Sequence, residues 1–316
     1  MINSDYSYMT RLLNNSSTVR DQLDQAQEQV ATGLVSNTYS GLGTQARTAL
    51  SLAPAIAHQA AYSHNIDTAQ GRLDITQSAM TSISDIASKF YAAVNTYNPN
   101  DPTSVQTLAA NAKSAIQQIG DFLNAKSGDV YLFAGKDTGN PPVPNTDPDV
   151  MSAGLLSGSS GPPFSSTIGT SPSTVQAGPG QTVQVGLIAN ANTLVKSAPP
   201  TTGSYMRDTL TALAKIAAIG TSTTPAADVA GARTTLSNSI SAMASETGSL
   251  GNIQSNLTTQ QTQLASLTTS LQKQLSSAED ADAAEAITRA ALLKTQLQAS
   301  YQIIAESRSL SLSSYL

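Results

Sequence analysis

The sequence predicts a mainly α protein, an elongated antiparallel helical bundle or coiled coil formed by its N- and C-terminal segments, with a small β-rich domain inserted in the middle. Three observations predict it. Val229, Leu236, Met243, Leu250, Leu257, Leu264 and Leu271 recur every seventh residue. A strict seven-residue repeat holds one apolar seam against a partner when helices supercoil slightly. A matching stripe lies far upstream, with Ile66, Ala69, Leu73, Met80, Ile83, Ala87, Phe90, Val94 and Tyr97 in 3-4 alternation apart from Thr76. Between the two, residues 137–203 hold ten of the fourteen prolines and nine of the twenty glycines, which disfavours helix over most of that window.

Composition narrows the class. With 12% charged residues, 4% aromatic residues and neither Trp nor Cys, thin seams of Leu, Ile, Met and Ala are expected rather than a broad globular core. The expected shape is a rod. A net charge of -5 without a Lys/Arg cluster argues against nucleic acid and against an anionic membrane surface as partners. Zero cysteines remove a disulfide framework and thiolate metal sites. No run of 18 apolar residues is present, and Met1 to Asn15 contains Asp5 but no apolar h-region. Neither a transmembrane helix nor a cleavable secretory signal is therefore expected.

Taken in order, Leu12, Val19, Leu23, Ala26 and Val30 make the first helical stripe, closed by Gly33 at a C-cap-like position. Ser36 to Gly43 reads as a loop. A second helix is expected from about Thr44 to Tyr97, with a possible bend at Pro54. Asp101 as N-cap and Pro102 at the first helical position open a third, faced by Val105, Leu108, Ala112, Ile116, Ile119 and Leu123. Val130 to Phe133 and Thr182 to Ile188 read as strands. Helical pattern resumes over Tyr205 to Ile219, pauses at Gly220 to Pro225, and enters the heptad ladder. The ladder's half-heptad positions are mixed: Ile253 and Leu267 are apolar, whereas Ser239, Glu246, Gln260 and Gln274 are polar, so the seam is narrow. Register is lost over Ser276 to Asp282, and a last amphipathic stretch carries Ala286, Ala290, Leu293, Leu297, Tyr301 and Ile304. The two terminal helices have diluted seams and are expected to be mobile in the monomer, folding on assembly.

Candidate chemistry is sparse. His58 and His64 lie six apart, on different sides of a helix rather than at the spacing of a metal pair. Glu279, Asp280, Asp282 and Glu285 cluster where a helix would begin, and the macrodipole favours negative charge there. Residues 137–203 contain three Asp, one Lys and no His or Glu, a poor basis for catalysis. The expectation is no enzyme, no cofactor and no metal.

The segments QEQVATG (Gln27 to Gly33), NIDTAQGRLD (Asn65 to Asp74) and YLFAG (Tyr131 to Gly135) resemble the N-terminal half of the family of bacterial flagellins and of flagellar hook-associated protein type 3, the hook-filament junction protein. In the C-terminal half, GSLGNIQSNL (Gly248 to Leu257), the run from Leu275 to Gln302 and the ending SLSLSSYL are similar to the same family. The ending matches the junction protein's Ser-Leu-x-x-Tyr-Leu more closely than the Leu-Leu ending usual in flagellins. Thr38 to Gly43 reads TYSGLG where the family commonly has Asp-Asp-Pro, so no contact is carried over to this loop.

The resemblance implies a structural protein of the bacterial flagellum, a homo-oligomeric ring between hook and filament. It implies another hook-associated junction protein on the hook side, flagellin on the filament side, and a cytoplasmic export chaperone at the C-terminal helix. Export through the flagellar type III apparatus to the extracellular flagellum follows. Three domains are expected: 1–40 plus 276–316 as an axial coiled coil, 41–136 plus 205–275 as a helical rod, and 137–204 as a β-rich outer domain. The expected assembly interface is Leu12, Val19, Leu23, Val30, Leu293, Leu297, Tyr301, Ile304, Leu310, Leu312, Tyr315 and Leu316. The expected intramolecular seam is Leu73, Met80, Ile83 and Phe90 against Val229, Leu236, Met243, Leu250, Leu257, Leu264 and Leu271. A flagellin filament subunit is the near alternative. A signalling helical hairpin, which also repeats in sevens, is disfavoured by the Pro/Gly-rich middle, and a binding module within 137–203 stays open.

Overall fold

The structure, a computed structural model, describes residues 2–158, 162–196 and 201–313, with side chains described between 10 and 306. The chain forms two compact units, Met1–His58 with Ser266–Leu316 and Gln59–Ala265. The boundaries fall inside two long helices, and residues 137–204 share a unit with the helices that flank them.

In the second unit, helices α2 (Ala46–Thr96) and α6 (Pro225–Glu279) contribute the two expected stripes to one continuous core. Ile66, Leu73, Met80 and Ile83 meet Leu236, Met243, Leu250 and Leu257 in it, all essentially inaccessible to water. Side-chain hydrogen bonds fix an antiparallel register: Gln261 donates to Asp67 at 2.7 Å, Gln70 to Thr258 at 3.1 Å, Gln254 to Asp74, and Arg233 to Asn95 at 3.3 Å. As the position rises along α2 it falls along α6. Helix α2 runs through Pro54 without interruption. Helix α3 (Pro102–Leu123) begins as its sequence requires, with Asp101 accepting the Thr103 N–H at 2.9 Å and Pro102 in the first turn, where a missing N–H costs nothing. It buries Leu108, Ala112, Ile116 and Ile119 in the same core, against helix α5 (Tyr205–Ala217).

The middle of the chain is less purely β than its composition suggests. Helix α4 (Pro148–Leu156) stands in the Pro/Gly-rich window where helix was expected to be excluded over most positions. Asp147 caps it, accepting from Asp149 and Val150 N–H at 2.9 and 3.2 Å. Pro148 starts it, and Met151 and Leu155 bury against the core. A local cap and a buried face outweigh the composition of the surrounding window.

Strands are short. β1 (Lys126–Ser127) pairs with β2 (Val130–Tyr131), and β3 (Thr174–Gly178) forms a bulged antiparallel hairpin with β4 (Gln181–Gln184). The strand expected to run to Ile188 changes partner after Gln184. Leu187 N–H donates to Leu132 O at 3.0 Å, Gly135 N–H to Leu187 O at 3.1 Å and Ala189 N–H to Phe133 O at 2.9 Å. The YLFAG run therefore receives the far end of the insert. Gly135, at φ 64°, also permits a close crossing, because a Cβ there would lie 2.7 Å from Gly169 O.

The insert is pinned to both long helices by amides. Asn65 of α2 donates to Gln176 O at 2.9 Å, and Gln260 of α6 donates to Ala177 O at 3.0 Å. Gln260 and Glu246 occupy polar half-heptad positions two heptads apart, on one face of α6. These positions narrow the apolar seam because they take hold of the insert's backbone.

Candidate functional site

The first unit is built on helices α1 (Ile2–Thr32) and α7 (Ala283–Ser313), which pack against each other. Their shared core is small: Val19, Leu23, Ala26 and Leu293, flanked by Ala290 and Leu297. Gly33 ends α1 with φ 73°, the left-handed conformation that costs glycine little. The chain beyond it hydrogen-bonds to the break between α6 and α7. Val35 N–H donates to Glu279 O at 2.7 Å, Ala281 N–H donates to Gly33 O at 2.8 Å, and Leu34 bridges Asp280 antiparallel. This short clasp fixes where α1 and α7 start to run side by side. Asp282 then caps α7, accepting from Ala284 and Glu285 N–H at 2.9 and 3.2 Å. Of the acidic cluster expected at a helix start, Asp282 and Glu285 are at the start of α7, whereas Glu279 is the last residue of α6 and Asp280 lies in the break between them. Ser36 to Gly43, expected as a loop, includes a 3-10 stretch over Tyr39–Gln45 that buries Leu42.

What distinguishes this unit is the apolar surface it leaves uncovered. Among the described residues, the exposed large hydrophobics here are Leu13, Val30, Val35, Tyr39, Leu50, Leu267, Ile287, Leu292, Tyr301 and Ile303; the second unit has Ile75, Val150 and Leu156. On α7, Leu292 is 67% exposed and Ile303 47%. Eleven residues apart, they lie on one side of the helix, about three turns from each other. Ala286, Leu293, Leu297 and Ile304 lie on the side turned to α1 or sheltered with it. Helix α7 therefore carries one apolar stripe that the chain covers and, apart from it, exposed apolar side chains at Ile287, Leu292, Tyr301 and Ile303.

Of the expected interface residues, Val19, Leu23, Leu293 and Ile304 are buried within the chain, Leu12 and Leu297 are half-buried, and Val30 and Tyr301 are exposed. Leu310 and Leu312 lie on α7, beyond the described side chains, and Tyr315 and Leu316 lie outside the described residues. Leu13, Leu50, Ile287, Leu292 and Ile303 were not anticipated. The eleven-residue spacing of Leu292 and Ile303 was the signal available, eclipsed by the stronger neighbouring stripe. The expected seam residues Leu73, Met80, Ile83 and Phe90 and Val229 to Leu264 all sit in the second unit's core, while Leu271, in the first unit, is half-buried.

The chemistry available is that of surfaces. His58 and His64 are both exposed. Among the described residues no group of three His, Cys, Asp or Glu is placed to hold a metal, and no helix is long and apolar enough to cross a membrane. The clefts beside the clasp are small. One, of about 220 Å³, is lined by Gln25, Glu28, Gln29, Leu34, Val35, Ser36 and Gly41.

Comparison with known proteins gives a consistent result. Residues 2–138 match the model of the bacterial flagellin N-terminal helical region, and residues 234–316 match that of the bacterial flagellin C-terminal helical region. Among curated proteins none matches the chain. Among solved structures, one assigned to a flagellar hook-associated protein from Vibrio parahaemolyticus has a similar fold, with TM-score 0.56 and 15% identity, covering 77% of this chain and 99% of that one.

Proposed function

The chain belongs to the bacterial flagellin family and is a structural protein of the flagellum, and from that premise we propose that it is the hook-filament junction subunit, the role of hook-associated protein type 3. Members of this family self-assemble into oligomers of the extracellular flagellum. The observation that carries the reading is the exposed apolar surface of this unit, with Leu292 and Ile303 on one side of α7 and Leu13, Val30 and Tyr39 elsewhere in the unit. Burying such a side chain fully is worth on the order of 1.5–3 kcal/mol. The α1–α7 pair closes on itself through a four-residue core and keeps further apolar surface for neighbouring subunits. A head-to-tail interface of this kind closes into a ring when the rotation between subunits divides the circle. The proposed interface joins Leu12, Val30, Tyr301 and the C-terminal Leu310, Leu312, Tyr315 and Leu316 to the exposed Leu292 and Ile303.

In this reading residues 1–40 and 276–316 form the axial, subunit-joining domain, 41–136 with 205–275 the helical domain, and 137–204 the outer one. The ring meets another hook-associated protein on the hook side and flagellin on the filament side. The chain reaches that place through the flagellar export apparatus, with a cytoplasmic chaperone on α7 covering its apolar faces beforehand. The Ser-Leu-x-x-Tyr-Leu ending and the likeness to a protein assigned as hook-associated favour the junction. A filament subunit is the second reading, favoured by the two matching models being those of flagellin itself.

Deleting the gene and imaging cells by electron microscopy separates the two. Intact hooks with monomeric flagellin released into the medium are expected for a junction subunit. Filaments that still attach to hooks in its absence would sink the junction role.

A further inference from the structure

Six glycines lie inside helices of the second unit, and they are of two kinds. Gly120 of α3 and Gly154 of α4 are required by close packing. A Cβ at Gly120 would lie 3.1 Å from Thr146 Cγ2 and 3.2 Å from Met151 Sδ, and one at Gly154 only 2.8 Å from Pro162 Cβ. The glycines of the two long helices have no such reason. Among the described residues nothing lies within 4 Å of a Cβ at Gly71, Gly231 or Gly248, and one at Gly251 would meet Gln77 Nε2 at 4.0 Å. Alanine would fit at each, and in a helix interior it favours the helical state over glycine by a factor of about five.

Three of these four share one level of the seam. The bonds from Gln254 to Asp74 and from Gln70 to Thr258 set residues 71–82 of α2 alongside 246–257 of α6. Gly71, Gly248 and Gly251 fall within that level, whereas Gly231 lies near the start of α6. Other features that weaken a helix gather there. Thr76, the polar interruption of the α2 stripe, is fully buried, and its Oγ1 donates to Arg72 O at 2.8 Å. On α6, Thr247 Oγ1 donates to Met243 O at 2.9 Å and Ser249 Oγ to Ser245 O at 3.0 Å. Back-bonding of this kind competes with the helix and bends it, and a Gly-Ser pair such as Gly248-Ser249 is a common place for a bend. The core beside this level holds Met80 and Met243, both fully buried. Their unbranched side chains follow a change in helix spacing more readily than leucine does.

We propose that residues 71–82 and 246–257 form a flexure: the solvent-facing backbone hydrogen bonds of α2 and α6 open there and the helix pair bends, while its buried seam stays closed. Gly71 and Gly248 are exposed, so opening on that side uncovers no core side chain and costs the backbone bonds alone. Leu73, Met80, Leu250 and Leu257 remain packed between the helices. The bonds from Gln254 and Gln70 cross the level and make the two helices bend together. The flexure lies wholly within the second unit and holds for a junction or a filament subunit alike.

Two measurements on the full chain test this. Hydrogen exchange, corrected for intrinsic rates, is expected to be about fivefold faster or more in 71–82 and 246–257 than in the adjoining 83–94 and 234–245. Gly71→Ala is expected to slow exchange about fivefold in 71–82, and Gly248→Ala with Gly251→Ala about twenty-five-fold in 246–257. Gly231→Ala is expected to leave both unchanged, which separates local opening from global unfolding. The chain has no cysteine, so spin labels at Ser237→Cys and Thr259→Cys, both exposed, report bending along α6 directly. Their distance distribution is expected to be broad and to narrow in the Gly248→Ala, Gly251→Ala background. Equal protection in the level and its flanks overturns the flexure. So does an alanine pair that leaves exchange or the distance distribution unchanged, or equal slowing by Gly231→Ala.

Discussion

The α2–α6 seam and the α1–α7 pair are written in the same alphabet, Leu, Ile, Val and Ala at three- and four-residue steps, yet they reach different ends. In the second unit the seam is sealed: Leu236, Met243, Leu250 and Leu257 are covered by α2, α3, α5 and the insert. In the first unit a core of Val19, Leu23, Ala26 and Leu293 holds two helices of 31 residues each, and ten large apolar side chains among the described residues remain in water. The difference lies in what else the chain supplies. Around α6 there are further elements to complete the seam, whereas α1 and α7 have each other. A helix pair with so little buried surface offsets its ordering entropy poorly. One region is finished by folding, and the other is left to be finished by a neighbour.

The comparison is most easily broken at the C-terminus. Removing Ser309 to Leu316 is expected to abolish assembly outright while leaving the circular dichroism and melting of the second unit unchanged. Normal incorporation into flagella by that truncation would mean the first unit needs no neighbour.

Next in size is a pair of core substitutions. Leu250→Ala, in the sealed seam, is expected to destabilise by roughly 3–5 kcal/mol, since its cavity is walled on every side. Leu23→Ala is expected to cost about 2 kcal/mol, the low end for such a change, because its thin surroundings can collapse toward the vacancy. Denaturant unfolding followed separately for each unit reads both, and equal costs would erase the distinction between them.

The smallest effect on the monomer is the sharpest on function. Leu292→Ser is expected to change monomer stability by no more than about 0.5 kcal/mol, as for an exposed site. It is also expected to raise the concentration needed for assembly, measured by sedimentation. A variant that assembles as the wild type does would remove Leu292 from the interface.

Much of this was legible because strong periodicity is local. The seven-residue ladder names its own buried face, Asp101-Pro102 announces α3, and Gly33 announces the end of α1. Helix α4 escaped because its signal, Asp147-Pro148, is two residues inside a window whose composition argues the other way. Glu246 and Gln260 read as flaws in a seam, since the backbone groups they hold, at Leu194 and Ala177, are 52 and 83 residues away. On α7 periodicity names the covered stripe, whereas the exposed Leu292 and Ile303 are separated on their side of the helix by Thr295, Gln296, Ala299 and Ser300 and announce no stripe.

The amino-acid order by itself determined the long helices, the antiparallel return of α6 on α2 and a middle that is mostly not helical, because turn chemistry and apolar spacing act over a few residues. Tertiary structure alone decided which apolar faces are sealed and that polar half-heptad positions carry the insert. Those outcomes depend on burial, and burial is fixed by segments that meet only when the chain has folded.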